Sequence, residues 1–306
     1  MGKTNVLDGL IPFLTMAAQQ IGRELVGIIP AVTTDMTAAQ AGKGQPVRIP
    51  ITPQAKAYDI TIGTEPDTSG DDFGNVEMRI DNFRVAHFTW NGEEEMALGA
   101  TANGLKENQI LQRMRTLVNE IEASVFAEAI SGAKGGNYGV HGVTPFAGAD
   151  MREFAQMVKM LNDAGSPHSG RQMVLNTTHA AALRNKPNLF RANESGETSL
   201  LRQGVLAELY GFAIRESGGA KLMRVGPANA TPSAVFTRDA IILATRAPAL
   251  PEGGDRAADV TVVSDPVSGL SFQVAAYEGY MNRRVEIRVA WGVKTVNPQN
   301  SFVLLG

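Results

Sequence analysis

The chain has 306 residues, of which 43% are hydrophobic, 19% are charged and none is cysteine, and its formal net charge is −3. This balance excludes a disordered chain, a disulfide framework, a Cys-ligated metal or iron–sulfur site and a thiol nucleophile. The 28 basic residues against 31 acidic residues create no overall field that would attract nucleic acid or an anionic membrane.

Export and membrane insertion also leave characteristic segments, and the sequence has neither. No segment has the compact apolar block and small-residue cleavage site of an export signal. No stretch reaches the roughly 18 to 20 uninterrupted apolar residues of a membrane span. We therefore expect a protein that stays in a cytoplasm or is released from one, with no membrane partner.

The N-terminal segment, from Val6 to Val26, has apolar residues at helical spacing. They recur in steps of three and four residues along one face: Val6, Leu10, Phe13, Leu14, Ala17, Ile21 and Leu25. Nothing nearby in the sequence covers this face, and the following Ile28-Ile29-Pro30 is typical of extended chain. The pattern predicts an arm that leaves the body of the protein.

From residue 46 the period changes to two, which predicts strands. Two apolar alternations surround a polar, turn-rich segment over residues 63–75 that includes Asp71 and Asp72. Their members are Val47, Ile49, Ile51, Tyr58, Ile60 and Ile62 before the turn, and Val76, Met78, Ile80, Phe83, Val85, Phe88 and Trp90 after it. The simplest interpretation is one long two-stranded hairpin with an acidic tip.

Residues 102–131 give the strongest helix signal in the chain. A main apolar stripe is backed by a second row: Ile110, Met114, Leu117, Ile121 and Val125, with Leu111, Val118 and Phe126. We place the polar residues, including Arg115, Asn119 and Glu122, mainly on the other side of the helix. Thirty residues at 1.5 Å each make a helix of about 45 Å, which is long for a compact enzyme domain.

The remaining chain is typical of an α+β or an α/β protein. In the middle part, roughly 149–235, helices and strands alternate. Asp150 and Glu153 form a capping-box-like helix start, and Asn176 is placed to cap a short helix before Pro187. The final part is rich in predicted strands, at residues 234–236, 241–243, 260–263, 272–274 and 285–296.

Chemistry-bearing motifs are sparse. The four histidines show no metal-ligand spacing, and no GxSxG elbow marks a nucleophile. The glycines over residues 132–139 follow a helix rather than a strand, which does not suit a phosphate-binding loop. We therefore predict no catalytic, cofactor-binding or metal site. A cytoplasmic α/β enzyme whose Ser-His-Asp triad is assembled only in space stays open as an alternative.

The order of elements resembles the major capsid protein of tailed bacteriophages, with its Hong Kong 97 type fold. Local stretches over residues 201–217, 234–244 and 288–298 are similar to strands of that fold, the first through its Gly204, Gly211-Phe212 and Ser217 pattern. Within this family, the sequence resembles most the coat proteins of short-tailed temperate phages. The resemblance divides the chain into an N-terminal arm (1–45), an E-loop hairpin with a flanking P-domain strand (46–98), a spine helix of the P-domain (99–148), an A-domain (149–235) and P-domain return strands with a C-terminal tail (236–306).

The resemblance implies a non-enzymatic coat subunit. It would assemble through pentamers and hexamers into an icosahedral head around double-stranded DNA, in the cytoplasm of a bacterial host, and end in the virion capsid. Residues 63–75 contain no lysine for a covalent weld, so the shell would be non-covalent. An encapsulin-like compartment shell is the close alternative.

The implied partners are other copies of the chain, a separate scaffolding protein, a portal protein and packaged DNA held without sequence specificity, with room for a decoration protein. A separate scaffold is expected because the arm begins within a few residues of Met1. Apolar faces on the arm and hairpin need cover from a neighbouring subunit. We predict the inter-subunit contact residues Phe13, Ile21, Ile49, Ile51, Ile60, Asp71, Asp72, Met78 and Ile80.

Overall fold

The computed structural model describes residues 26–35, 42–51, 62–63, 74–98, 102–148, 151–186, 208–220, 223–225, 228–250, 256–265 and 268–306. The helices in these ranges are α1 (Gly92–Leu98), α2 (Ala102–Ser131), α3 (Arg152–Asp163) and α4 (Thr177–Arg184), with short 3-10 turns at Ile29–Ala31, Arg238–Ala240 and Pro298–Asn300.

The strands are β1 (Thr33–Asp35), β2 (Gln45–Ile51), β3 (Gly74–Ile80), β4 (Asn82–Asn91), β5 (Asn137–Tyr138), β6 (Arg171–Leu175), β7 (Glu208–Leu209), β8 (Phe212–Glu216), β9 (Met223–Val225), β10 (Ala228–Ala230), β11 (Ser233–Thr237), β12 (Ile241–Arg246), β13 (Asp259–Ser264), β14 (Ser271–Glu278), β15 (Asn282–Thr295) and β16 (Ser301–Leu304). They form two six-stranded sheets, the two-stranded β2–β3 hairpin and a small β9–β10 ribbon.

The first sheet is organised around the 14-residue strand β15. One edge of β15 pairs with β4, with Val285 opposite Phe88. The other edge pairs first with β14 and then with β12, and β12 pairs in turn with the short parallel strand β1. This sheet contains most of the strands predicted in the final part of the chain.

The long helix α2 spans the predicted residues 102–131 and packs along the first sheet. Its apolar stripe is buried as predicted, from Ile110 to Val125, and meets inward-facing residues of β15 such as Ile287 and Val289. Glu122 departs from the prediction, because it is buried on the same side of the helix. No helix in the described ranges has the length and apolarity needed to cross a membrane.

The second sheet has the strand order β5, β16, β11, β6, β8, β7. One face packs on α3 and α4 through a cluster that includes Phe154, Met173 and Phe212. The other face joins the core around α2 through Val174 and Phe236. Since both faces are covered, β6 and β11 are buried at every position.

The two predicted helix starts in this part have different outcomes. Asn176 caps α4 as predicted, because its Oδ1 accepts the backbone N–H of His179 at 2.7 Å. The capping box at the start of α3 is wrong. The cap position is Met151, which makes no side-chain hydrogen bond, while Glu153 instead accepts from the buried Lys186 ammonium at 3.1 Å. Asp150 lies outside the described residues.

The described start of the chain, residues 26–35, is part of the folded body, and we call it the arm base. Ile28, Ile29 and Val32 are buried in the core around α2. Residues 33–35 then add β1 to the edge of the first sheet, where the Arg246 guanidinium donates to Asp35 at 2.6 Å. The predicted helical face from Val6 to Leu25 lies outside the described residues.

Candidate inter-subunit surfaces

The structure describes four of the nine predicted contact residues. Ile49 and Ile51 lie on β2, and Met78 and Ile80 lie on β3. The other five, Phe13, Ile21, Ile60, Asp71 and Asp72, lie outside the described residues.

The β2–β3 hairpin has one apolar face and one polar face. Its register places Val47 opposite Met78 and Ile49 opposite Val76, so these side chains share a face. Arg48 and Glu77 alternate with them and are exposed on the opposite face. The predicted clean alternation is therefore present in the described part of the hairpin.

The base of the hairpin is covered by its own chain. Ile80 is buried against Ala290 of β15, with Val47 and Phe83 packed beside it. Met78 is buried as well. Because these side chains are already covered within one subunit, Met78 and Ile80 are not available to a neighbour, and this part of the contact prediction requires correction. Farther from the base, Ile49 and Ile51 stay only half-buried.

Small residues on β15 allow this close packing. A Cβ atom at position 292 would lie 2.3 Å from the Arg79 carbonyl oxygen, so only glycine leaves room for the β3 backbone. Ala290, two residues earlier, is fully buried beneath Ile80. The hairpin covers β15 at this position, although Ala290 lies on the same face of the strand as the charged Glu286 and Arg288.

Gly292→Ala is expected to displace the hairpin from the first sheet. The added methyl group meets backbone rather than a flexible side chain, so we expect a loss of about 1–3 kcal/mol in the free energy of unfolding, typical of overpacking. Urea denaturation measures this loss. Gly74→Ala, on the hairpin itself, is the control, because a Cβ there would have no neighbour nearer than 4.0 Å. Equal unfolding midpoints for the two variants would contradict the packing described here.

A second exposed surface lies at the end of the first sheet, where β14 turns into β15. Tyr280 and Met281 in this turn are 92% and 75% exposed, and Met96 on α1 is 87% exposed. Beside them is a groove of about 520 Å³ between α1, α2 and β4, with Phe88 and Trp90 in its lining. Large apolar side chains concentrated at one end of a sheet are typical of a contact surface.

Charges of both signs border this groove. The Lys106 ammonium lies 4.7 Å from the centre of the Trp90 ring and donates to Glu95 at 2.6 Å. That hydrogen bond lowers the pKa of Glu95 below its usual range. Glu95, in the acidic first turn of α1, also lines an adjoining cavity together with Arg283.

The histidines do not form a reactive site in the described part of the chain. His179 is the most buried of them, and its Nδ1 lies 2.7 Å from the Ser233 hydroxyl. That hydroxyl accepts the Asn176 N–H at 2.9 Å, and both His179 and Ser233 are inaccessible to a substrate. Within the ranges the structure describes, no group of three or more His, Cys, Asp or Glu side chains is placed to hold a metal ion.

Burial makes His179 a source of acid sensitivity. Desolvation lowers its pKa to about 4, whereas the unfolded chain has the ordinary value of about 6.5. The unfolded chain therefore binds the proton more readily, and stability should fall as the pH decreases from about 6.5 towards 4, by about 3 kcal/mol in total. Urea midpoints at several pH values should show a shallower acid slope for His179→Gln than for His168→Gln, whose histidine is exposed. Parallel slopes would contradict this role.

The sequence was also compared with known proteins. No protein-family model matches it, and no curated protein matches it. Solved structures do match. A chain of Mycobacterium phage Che8 has a TM-score of 0.58 at 16% identity and covers 99% of this chain and 92% of its own length. The capsid of cyanophage P-SCSP1u gives a TM-score of 0.63 at 12% identity, covering 93% and 89% of the two chains.

A third match points the same way. The mature capsid of bacteriophage PhiM1 has a TM-score of 0.58 at 11% identity and covers 93% of this chain and 88% of its own. The chain has a phage capsid fold. This confirms the α+β class and the capsid architecture predicted from the order of elements.

Within the capsid fold, the strands do not follow all of the predicted segment boundaries. The boundary at 236 separates a central segment from the final one, yet β11 crosses it. The last strand, β16, pairs with β11 in the second sheet rather than with the return strands of the first. The five-segment division stays a prediction, as does the assignment to the short-tailed temperate branch.

Sequence reasoning missed the exposed end of the first sheet. Tyr280 and Met281 fall between two predicted strands, and Met281 has a positive φ of 54°, which marks a turn. Two large apolar residues inside a turn are the signal that was available. The corresponding signal at Met96 is a large apolar residue that directly follows three glutamates.

Proposed function

We propose that the chain is a major capsid protein that self-assembles through pentamers and hexamers into the icosahedral head enclosing phage double-stranded DNA. The observation that carries the proposal is the capsid fold, matched over at least 93% of the chain in all three structures quoted above. The role is structural and includes no catalysis. The histidine and serine that lie together are buried and support a helix start instead.

The hairpin supplies the first contact between copies. The base of the hairpin packs on β15, which fixes the position of the hairpin on its own subunit. Farther along the same apolar face, Ile49 and Ile51 are only half-buried within the chain. Half-buried apolar residues on a two-stranded hairpin gain cover from a neighbouring subunit. Phe13, Ile21, Ile60, Asp71 and Asp72 stay predicted contact residues.

The exposed end of the first sheet supplies the second contact. Tyr280, Met281 and Met96 provide apolar area, and Glu95 lies near Arg283. This surface of one copy can contact a different, complementary surface of the next copy. Head-to-tail contacts of this kind, repeated around a symmetry axis, close into rings.

The overall charge suits a shell around DNA. A net charge of −3 gives the chain little tendency to hold a polyanion, so the genome could pass in and out without being trapped. We propose that a separate scaffolding protein and a portal protein take part in assembly in the host cytoplasm, and that a decoration protein can bind the outer face. The encapsulin-like and enzymatic alternatives are less favoured, since the quoted matches are phage structures.

Light scattering after size exclusion, with negative-stain microscopy of each peak, tests the proposal. The protein should be made with and without the genes adjacent to its own. Rings, shells or heads in either preparation are the expected result, and their appearance only with the adjacent genes would indicate a separate scaffold. A strict monomer in both preparations, with turnover on a panel of substrates, would favour the enzyme instead.

A further inference from the structure

A buried carboxylate in the middle of α2 joins three parts of the fold. Glu122 is only 2% exposed. Its Oε1 accepts the backbone N–H groups of Gly27 and Ile28 at 2.7 and 2.9 Å, and the Ser217 hydroxyl at 2.6 Å. Its Oε2 accepts the backbone N–H of Ile29 at 3.2 Å. The donors come from the arm base and from the end of β8 in the second sheet.

All of these donors are uncharged. No ion pair found in the described residues includes Glu122. A buried carboxylate without a cation is tolerated only when hydrogen bonds replace its hydration. Here three successive backbone N–H groups at the start of the 3-10 turn, which have no partner within that turn, provide most of them. The carboxylate and the arm base therefore satisfy each other.

The surrounding backbone leaves little freedom at this junction. A Cβ atom at position 27 would lie 2.3 Å from the Glu216 carbonyl oxygen, and one at position 219 would lie 2.7 Å from Glu122 Cγ. Glycine at both positions lets the arm base and the β8 end approach α2 closely. Small residues alone would permit many arrangements, whereas the four hydrogen bonds to Glu122 select one.

We propose that Glu122 is a positioning residue that fixes the arm base on the folded body. The arm base includes the buried Ile28 and Ile29 and strand β1, so the carboxylate fixes it relative to α2 and to both sheets. The consequence for assembly rests on the proposed function. A fixed arm base gives every copy of the chain the same starting point for contacts with a neighbour.

Hydrogen exchange measured by mass spectrometry on the purified full-length chain tests the positioning role. In Glu122→Gln, one acceptor oxygen is replaced by an amide group that cannot accept the N–H groups facing it. Peptides covering residues 26–32 should exchange at least about tenfold faster, while peptides from β14 and β15 keep the parent rate. Parent-like exchange over 26–32 would overturn the proposal, and so would equal acceleration in every peptide.

The same helix offers a matched control. Glu128 also accepts a backbone N–H from a distant strand, that of Thr295 at 3.0 Å. Glu128→Gln should therefore leave exchange over 26–32 unchanged. If Glu122→Gln does not fold, Ser217→Ala removes a single donor and should still accelerate exchange over 26–32 several-fold. No acceleration in that variant would also count against the proposal.

Negative-stain microscopy of assembled material provides the second readout. Glu122→Gln should give fewer shells, or shells of less regular shape, than Glu128→Gln, although the two variants unfold at similar thermal midpoints. Shells identical to those of the parent would contradict the assembly part of the inference. If the parent itself forms no shells, the proposed function fails, whereas the exchange measurement still decides whether Glu122 positions the arm base.

Discussion

The double variant Ile49→Glu/Ile51→Glu is expected to stay a folded monomer and to form no shells. Both side chains are only half-buried within the chain and lie beyond the part of the hairpin that packs on β15. Charging them should therefore cost the isolated subunit little. In a shell the same positions would be covered by a neighbour, where each unpaired carboxylate costs several kcal/mol.

Circular dichroism and size-exclusion light scattering separate the two effects. The dichroism spectrum should match that of the parent, while the shell peak disappears. Pro50→Glu is the control, because Pro50 is exposed on the opposite face of β2. Normal shells from the double variant would remove the hairpin from the assembly interface. Ile80 is unsuitable for this test, because its burial against Ala290 means that a charge there would damage the subunit itself.

Leu117→Pro should prevent folding altogether. Leu117 is 2% exposed at the centre of α2. A proline there removes one helical hydrogen bond and collides with the preceding turn, which costs at least about 3 kcal/mol. The loss of the buried leucine side chain adds roughly 2–5 kcal/mol. The sum is comparable to the whole stability of an ordinary domain, about 5–15 kcal/mol.

Soluble yield and the helical dichroism signal measure this outcome. Gly104→Pro is the control, since Gly104 lies in the first turn of the same helix, where backbone N–H groups have no partner within the helix. A Cβ atom added at this position would meet nothing within 4 Å. A soluble, assembly-competent Leu117→Pro protein would contradict the central place that the fold gives to α2.

Local patterns predict the elements whose environment is uniform along their length. The bounds of α2 coincide with the predicted residues 102–131, because one apolar stripe faces one core throughout. The return strands in the first sheet were predicted for the same reason. Asn176 was predicted correctly because a helix cap is decided by its immediate neighbours.

Local patterns do not show which other strand a predicted strand pairs with. Apolar residues recur over residues 76–90 and predict one strand, although their period of two slips by one residue between Ile80 and Phe83. The chain changes partner at this point, at Asp81. The part before Asp81 pairs with β2 and the part after it pairs with β15, some 200 residues later in the sequence. Alternation shows which residues share a face but not whether the cover comes from the same chain. For this reason the sequence alone predicts the same contact role for Ile80 and Ile49.

Glu122 is a different kind of omission. Val118 and Phe126 lie four residues before and after it, so helical geometry places all three on one side of α2. The sequence thus contained a signal for a carboxylate on the buried side. The identity of its donors depends on Gly27 and Ser217, which no spacing rule connects with this helix.

Cryo-electron microscopy of the particle formed with the adjacent genes tests the central claim most directly. We predict a closed shell with fivefold and sixfold arrangements of this chain, in which Ile49 and Ile51 of each hairpin are covered by a neighbouring subunit. A shell in which these two residues face solvent would contradict the assigned interface. Finding only monomers under every condition would contradict the proposed role of the chain itself.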